Sequence, residues 1–315
     1  MTKISAVIPA YNESRAIGTT LKELEEVLTS CSGGDYEIVV VDDHSSDDTF
    51  GAVKRFGSAR VRCVRLNRRW GSHVALRAGL REARADAVLC VSADGQDDPR
   101  AFGDMLAKAR DGADIVWALR LDRDDEPWFI RKPSQLFYRA LFGLLNGRRG
   151  GIDMSRATFF LLRRKVVDAV NECPERNTSL FGLLAWLGFR QDYVEYHRRP
   201  RISGASKWTM GSRVRLAKDW VIAFSGLPLK AASAIGAVIS LAGVCYAAVI
   251  IFNKLCFNNT PEGWASIIVV ILVSSGIQLI ILGVIGDYLW HNLDESRRRP
   301  LYFIESRTDA DPRQT

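Results

Sequence analysis

The stretch CVSADGQDD, residues 90–98, gathers oxygen-bearing side chains directly after an apolar run. The apolar residues stop at Ser92, and Asp94, Gln96, Asp97 and Asp98 follow within six positions. Oxygen atoms are the ligands that hard divalent cations prefer. A surface loop that simply ends a strand is the alternative interpretation.

Polar residues end several other predicted strands. The apolar runs ISAVIPA, YEIVVVDD, VRCVRL, DAVLCVSAD and DIVWALR alternate with helical patterns near residues 14–28, from 48, 73–83 and 99–110. Strands buried on both faces and separated by helices predict an α/β fold with a doubly wound, mostly parallel sheet. Ligands of such sheets bind beyond the carboxyl ends of the strands. We therefore expect one crevice to be lined by Tyr11 to Glu13, Asp42, Asp43, Asn67, Arg68 and Asp94 to Gln96.

Composition limits the classes of protein that fit. With 315 residues and 47% hydrophobic content, the chain can bury one substantial core and still form a second, smaller unit. The net charge is +7, but the basic residues are not interleaved with aromatic ones, so we expect no nucleic-acid partner. A membrane surface or a phosphate-bearing substrate fits the basic balance better. The six cysteines form no CxxC pair, which predicts reduced thiols.

Two long apolar runs occupy the C-terminal part. Lys230 is the only charge between residues 222 and 252, and Asp287 lies near the end of the second run, which Trp264 and Trp290 flank. Runs of about 20 apolar residues predict membrane-spanning helices, with interfacial aromatic residues at their borders. Basic residues before the first run and after the second predict that both chain ends are cytoplasmic. A buried hairpin of a soluble protein is the alternative.

Two strand-end motifs carry a family resemblance. The segments VIPAYNE (7–13) and VVVDDHSSDDT (39–49) resemble the nucleotide-sugar-binding half of family 2 glycosyltransferases, which have the Rossmann-like GT-A fold. Loop chemistry with helix capping by Ser46 or Asp47 is the alternative reading of the same residues. The resemblance implies that Asp42 and Asp43 lie near the base and ribose, and that the nucleoside is surrounded by Pro9, Tyr11, Asn12 and Glu13.

The opening stretch matches the DADxQD element of that family, in which carboxylates and a glutamine hold Mg²⁺ or Mn²⁺ against the donor diphosphate. The resemblance implies that Asp94 and Gln96 are metal ligands and that Ser92 and Asp94 contact the nucleotide sugar. Ser92 stands where the family has an aspartate. A hydroxyl is a weaker, uncharged ligand, so we expect looser metal binding, a water in its place, or loss of metal use.

The segment 66–87, LNRRWGSHVALRAGLREARADA, is similar to a further family element. Gly71, Ala75 and Gly79 are spaced to let a helix pack closely under the diphosphate, and a helix amino terminus favours anions. The resemblance implies that Asn67 and Gly71 belong to the nucleotide-sugar site. His73 is read equally well as a ligand or as a structural histidine.

RRPRISGASKW (198–208) is similar to the R-x-x-G-x-S-K-[WY] element of polyprenyl-phosphate glycosyltransferases, the group related to dolichol-phosphate mannose synthase. That group has two membrane spans after its catalytic domain. Cations and hydroxyls suit a lipid monophosphate, and the candidates are Arg120, Arg131, Lys132, Ser134, Arg201, Ser206 and Lys207. QLFYRALFGLLN (135–146) is read as an amphipathic helix on the bilayer. A solvated basic face near lipid headgroups is the alternative.

Related enzymes have an acid shortly before an FRLLxRRVV element, which FFLLRRKVV (159–167) matches here, so the resemblance implies Asp153 as the candidate catalytic base. Turn capping by Asp153 is the alternative. A lipid phosphate is already ionised, so its attack needs positioning more than deprotonation.

Together with the two apolar runs, the resemblance implies an inverting glycosyltransferase of the inner membrane. It would move a hexose from a UDP- or GDP-sugar to a polyprenyl phosphate, with Mg²⁺ or Mn²⁺ as cofactor. The predicted parts are a cytoplasmic catalytic domain (1–210), an interfacial helix (211–229), a two-helix membrane hairpin (230–290) and a cytoplasmic tail (291–315). The family also allows a homo-oligomer. The rival hypotheses are a processive polysaccharide synthase, whose QxxRW element is missing from the sequence, and a catalytically weakened paralogue that binds lipid or nucleotide as a scaffold.

Overall fold

The computed structural model describes residues 3–121, 152–176, 178–200, 227–257 and 263–308. The strands in these ranges are β1 (Ile4–Ala10), β2 (Tyr36–Asp42), β3 (Val61–Leu66), β4 (Ala87–Cys90), β5 (Ile115–Arg120), β6 (Ala157–Arg163), β7 (Gln191–Tyr196) and β8 (Ile304–Arg307). The α-helices are α1 (Ile17–Ser32), α2 (Thr49–Phe56), α3 (Ser72–Glu82), α4 (Phe102–Arg110), α5 (Arg164–Glu172), α6 (Leu180–Trp186), α7 (Leu227–Phe257) and α8 (Trp264–Ser296).

The strands within the described ranges form one eight-stranded sheet, in the order β7-β5-β6-β4-β1-β2-β3-β8. Parallel pairs join β1 to β2, β1 to β4, β2 to β3 and β5 to β7. Antiparallel pairs place β6 between β4 and β5, and β8 beside β3. The predicted α/β sheet is confirmed, but the sheet mixes parallel and antiparallel pairs. The alternation of strands and helices that predicts parallel pairing covers only the chain up to β5.

The centre of the sheet is buried on both faces. In β2, the side chains of residues 38–41 are 0% exposed although they alternate between the two faces. Leu21, Leu24 and Leu28 of α1 cover one face. Burial on both sides explains why these strands are continuous apolar runs in the sequence.

Helix α3 packs close to β1 and β2 on the other face. A Cβ added to Gly79 would lie 2.2 Å from Val7 Cγ1 and 3.2 Å from Val41 Cγ2. Only a residue without a side chain fits this distance. Helix α3 therefore packs closely on the sheet at Gly79, while its predicted place under a diphosphate stays a prediction.

The chain divides into two compact units, residues 1–210 with 300–315, and residues 211–299. The first contains the sheet, including β8, which sequence reasoning missed by treating 291–315 as a tail. The second contains α7, of 31 residues, and α8, of 33 residues. Among the described residues, no helix has the combination of length and apolarity that a membrane span requires, and the two predicted spans stay a prediction. All six cysteines are free, and their predicted reduced state stays a prediction.

Candidate active site

The loops that follow β1 and β2 are hydrogen-bonded to each other at the carboxyl edge of the sheet. The Asn12 backbone N–H donates to Ser45 Oγ at 2.9 Å, and Asn12 Oδ1 accepts from the Ser46 N–H at 2.8 Å. The Glu13 N–H donates to Thr49 Oγ1 at 2.9 Å. Asn12 has a φ of 55°, a left-handed conformation that asparagine tolerates well. The two motifs read from the sequence thus form one continuous wall, with Pro9 and Tyr11 at its β1 end.

Asp42 and Asp43 lie in this wall, and their carboxylates hold the surrounding loops. Asp42 is 0% exposed; its Oδ1 accepts from the Ser45 N–H at 2.9 Å and its Oδ2 accepts from Arg65 Nη1 at 3.0 Å. Asp43 accepts from the N–H groups of Trp70 (2.7 Å) and Gly71 (2.8 Å). Burial raises the pKa of Asp43 above its ordinary value even though these two bonds oppose the shift. The expected contact of both residues with a base and ribose stays a prediction.

The loop after β4 is organised around Ser92. The Ser92 hydroxyl lies 2.5 Å from Asp97 Oδ2 and 2.9 Å from Asp94 Oδ1, so its proton can be donated to either carboxylate. The backbone N–H of Ser92 also donates to Asp97, at 2.9 Å. Asp94 Oδ1 accepts a further bond from the Gln96 N–H at 3.1 Å. Ser92 therefore places a hydrogen-bond donor between two acids, where an aspartate would add a third negative charge.

Asp97 is a site residue that sequence reasoning did not select. It is 5% exposed and accepts a hydrogen bond from the Tyr196 hydroxyl at 3.0 Å. Burial raises the pKa of Asp97, against the lowering effect of the bonds from Ser92. Tyr196 also lies 2.6 Å from Thr158 Oγ1, and burial raises the pKa of its hydroxyl. Its place at the end of DADxQD was the signal that could have identified Asp97.

Arg199 ties the same loop to the segment that leads into the RxxGxSKW element. Its N–H donates to the Gln96 carbonyl at 3.0 Å, and its Nη2 donates to Asp98 Oδ1 at 2.7 Å. Its Nη1 donates to Glu23 Oε2 at 2.9 Å. The chain therefore passes beside Gln96 immediately before the predicted lipid-phosphate motif. The predicted residues Arg131, Lys132, Ser134, Arg201, Ser206 and Lys207 lie outside the described residues, as do the predicted helix over 135–146 and residues 211–226 of the predicted interfacial helix (211–229). The last three residues of that predicted helix, 227–229, belong to the first turn of α7.

Arg120 and Asp153 lie at this edge of the sheet by topology. Arg120 ends β5, and β6 begins opposite it, with Leu119 paired to Ala157. Arg156 Nε donates to the Arg120 carbonyl at 2.8 Å, and the Arg156 N–H donates to the Asp153 carbonyl at 2.9 Å. Asp153 thus precedes a short 3₁₀ turn at the sheet edge that Ser92 and Asp94 also follow. Its catalytic role stays a prediction.

The loop between β3 and α3 completes the wall. Asn67 Oδ1 accepts from Trp70 Nε1 at 2.9 Å, and Gly71 has a φ of 98°. The guanidinium carbon of Arg69 lies 4.1 Å from the centroid of the Tyr11 ring, a cation–π contact that sequence reasoning missed. This contact brings a positive charge to the predicted nucleoside-binding residue.

His73, near the start of α3, fits the structural interpretation better than the ligand one. Its ring packs edge-on against Phe181 with 5.7 Å between the centroids. Its Nδ1 is shielded from solvent and has no hydrogen-bond partner among the described residues. Burial lowers its pKa to about 4, so the ring is neutral at pH 7.

In the part of the chain that the structure describes, no three histidine, cysteine or acidic side chains gather as a metal site would require. Asp94 and Gln96 alone supply one carboxylate and one amide oxygen. Mg²⁺ and similar ions are commonly held by one or two carboxylates together with substrate phosphates. The donor set therefore fits an ion that takes its remaining ligands from a bound diphosphate.

Known proteins of similar sequence cover almost the whole chain. Bactoprenol glucosyl transferase of Shigella phage SfV is 34% identical over 96% of this chain and 98% of its own length. Undecaprenyl-phosphate 4-deoxy-4-formamido-L-arabinose transferase of Edwardsiella ictaluri is 33% identical over 96% of this chain and 93% of its own length. The crystal structure of mannosyl-3-phosphoglycerate synthase from Rubrobacter xylanophilus superposes with a TM-score of 0.50 at 21% identity, over 70% of this chain and 72% of that one, which supports the fold. The profile of glycosyl transferase family 2 matches residues 5–170. The chain is therefore a member of glycosyl transferase family 2.

Proposed function

We propose that the protein transfers a sugar, with inversion, from a nucleotide diphosphate donor of the UDP- or GDP-sugar class to a polyprenyl phosphate. The observation that carries this proposal is the similarity, over nearly the full length, to two proteins named for sugar transfer to bactoprenol or undecaprenyl phosphate. The sugars in those two names differ, so the donor is proposed as a class only.

The donor would bind along the wall formed by the loops after β1, β2 and β3 and against the loop after β4. Asn12, Asp43 and Gly71, which hydrogen bonds hold in the wall, would shape the nucleoside end. The loop from Ser92 to Asp97 would shape the diphosphate end. Asp94 and Gln96 would hold Mg²⁺ or Mn²⁺, which when bound neutralises the charge that develops on the leaving diphosphate. Arg69 adds a positive charge beside Tyr11.

The acceptor would approach from the side of Arg120 and the segment that follows Arg199. An oxygen of the lipid phosphate forms the new bond to the anomeric carbon while the bond from that carbon to the diphosphate oxygen breaks. The phosphate is already ionised, so Arg120 and the predicted cations beyond residue 200 would orient it rather than activate it. Asp153, which precedes β6 at the edge of the sheet, would assist the attack of the phosphate oxygen.

We also propose that the hairpin of α7 and α8 anchors the enzyme in the inner membrane, with the catalytic domain and both termini in the cytoplasm. Large apolar side chains of both helices are exposed, among them Val238 (68%), Leu255 (80%) and Leu279 (69%). Exposed apolar surface of this size indicates contact with lipid or with another protein. We therefore also propose that the hairpin joins copies of the chain into a homo-oligomer. Recovery of the protein in the soluble fraction after carbonate washing of cell membranes would contradict the membrane anchor.

The reaction is tested with the purified full chain, undecaprenyl phosphate and radiolabelled UDP-glucose, UDP-galactose, UDP-N-acetylglucosamine or GDP-mannose. Label that moves into the organic phase, and that disappears with Asp94→Asn, is the expected result. The matched control is Asp192→Asn, which removes a carboxylate paired with Lys108 at 2.8 Å on β7, away from the loops of the site. No labelled lipid with any of these donors, while lipid binding persists, would favour a scaffold instead.

A further inference from the structure

The last strand of the sheet brings an acidic side chain to the carboxyl edge. β8 runs antiparallel to β3, with Arg65 opposite Ser306 and Leu66 opposite Ile304. The Asn67 N–H donates to the Phe303 carbonyl at 3.0 Å, so the chain before β8 stays against the loop that follows β3. The direction of pairing places Glu305 next to the residues where β2 and β3 end.

Glu305 contacts two of those residues through one oxygen. Its Oε2 lies 3.1 Å from Arg65 Nε and 3.1 Å from His44 Nδ1. His44 Nδ1 is also 3.1 Å from the Leu66 carbonyl oxygen. Both partners of this nitrogen can only accept, so Nδ1 carries a proton. His44 has a φ of 57°, and these two bonds hold it in that left-handed conformation.

Arg65 connects Glu305 to the wall of the site through hydrogen bonds. Its Nη1 donates to Asp42 Oδ2 at 3.0 Å and its Nη2 donates to the Ser45 carbonyl at 3.1 Å. Ser45 in turn accepts from the Asn12 N–H. A guanidinium has a planar fork of donors, so fixing Nε fixes the direction of both Nη groups. One carboxylate of β8 therefore sets the orientation of the group that joins the β2 loop to β3.

We propose that Glu305 is a positioning residue for the donor nucleotide, acting through Arg65 on Asp42 and the Ser45 turn. The inference rests on the proposed function, because it assumes that this wall binds a nucleotide. The side chain of Glu305 is 47% exposed, and exposed ion pairs contribute little to stability, so its removal should alter the site more than the fold.

The test is binding of UDP and of GDP to the full chain by isothermal titration calorimetry, together with donor and acceptor kinetics. Glu305→Gln keeps the size of the side chain and removes its charge. Losing a charge-assisted hydrogen bond to Arg65 should weaken binding of the preferred nucleotide about tenfold and raise the donor KM similarly. The acceptor KM, the kcat at saturating donor and the melting temperature should stay close to the wild-type values.

Two control variants separate positioning from simple docking of the strand. Asp192→Asn removes an ion-paired carboxylate of similar exposure (41%) far along the sheet and should leave the nucleotide affinity unchanged. Arg307→Gln removes the pairing of β8 with Glu82, at 2.6 Å, and should lower the melting temperature more than the nucleotide affinity.

Nucleotide affinity of Glu305→Gln within twofold of wild type would overturn the proposal while leaving the proposed function intact. An equal loss of affinity in Arg307→Gln would overturn it as well, since docking of β8 alone would then be the cause. Wild-type protein that bound neither nucleotide would overturn both this inference and the proposed function.

Discussion

Replacing Ser92 with aspartate tests how the loop after β4 responds to an added negative charge. In the wild-type protein the Ser92 hydroxyl lies 2.9 Å from Asp94 Oδ1 and 2.5 Å from Asp97 Oδ2. A carboxylate in its place adds two like-charge pairs, each worth about 4 kcal/mol at about 4 Å and an effective dielectric constant of about 20, before the side chains relax. A divalent cation would relieve this repulsion. Ser92→Asp should therefore be less stable than wild type without metal and should bind Mn²⁺ more tightly.

The assay is thermal unfolding of the purified protein with and without Mn²⁺. An ion at about 1,000 times its dissociation constant stabilises the folded state by about 4 kcal/mol, so the Mn²⁺-dependent rise in melting temperature should exceed that of wild type by about 5 °C or more. Ser92→Ala is the matched control, because it removes the hydroxyl without adding charge, and Mn²⁺ should not restore its stability. An equal response to Mn²⁺ in Ser92→Asp and wild type would refute this account of the loop.

Four further variants, one of them a control, test the packing and polar contacts around the site. Gly79→Ala places a Cβ 2.2 Å from Val7 Cγ1 and should lower the free energy of unfolding in denaturant by about 1–3 kcal/mol. The control Gly103→Ala in α4, whose added Cβ would have no described atom within 4 Å, should be neutral or stabilising. Similar effects of the two substitutions would contradict the close packing. Burial lowers the pKa of His73 to about 4, so between pH 6.5 and 4 the unfolded chain takes up a proton that the folded chain does not. The free energy of unfolding, which has its full value above pH 6.5, should therefore fall by up to about 3 kcal/mol as the pH drops toward 4. His73→Phe should remove that part of the slope in melting temperature against pH, and an unchanged slope would show that the histidine is protonated when folded. Tyr196→Phe removes one hydrogen bond to buried Asp97, so it should lower the free energy of unfolding by about 1–3 kcal/mol and raise the KM for the nucleotide sugar. Wild-type values of both quantities would show that the hydrogen bonds from Ser92 are sufficient to hold Asp97.

The N-terminal half of the fold could be predicted from the sequence because its signals are local. Each strand from β1 to β5 is an apolar run followed by turn residues and a helical pattern, and burial on both faces requires this pattern. The direction of β6 was not predictable in this way, since pairing with β4 and β5 depends on contacts across the sheet. β8 was missed because its four residues, IESR, contain a single apolar side chain and pair with a strand some 240 positions earlier.

In the candidate site too, some residues could be predicted from local sequence signals and others could not. Asn12, Asp42, Asp43 and Asp94 were selected because motifs at strand ends meet at one edge of a parallel sheet. Their partners were not selected, because Arg65 and Glu305 belong to no motif and become neighbours only through the register of β3 and β8. The use of Asp42 and Asp43 to hold loops was likewise invisible, since hydrogen bonds to Trp70 and Gly71 depend on backbone geometry.

Strand β8 has a consequence for how the protein is made. The sheet that carries the site receives its outermost strand from residues 304–307, which leave the ribosome only after both long helices have been synthesised. A nascent or truncated chain ending before residue 300 would present the open edge of β3 and leave Glu82 without its Arg307 partner. Anyone wishing to express the sugar-transferring half alone should therefore splice the terminal strand onto it, and should expect a plain deletion to aggregate.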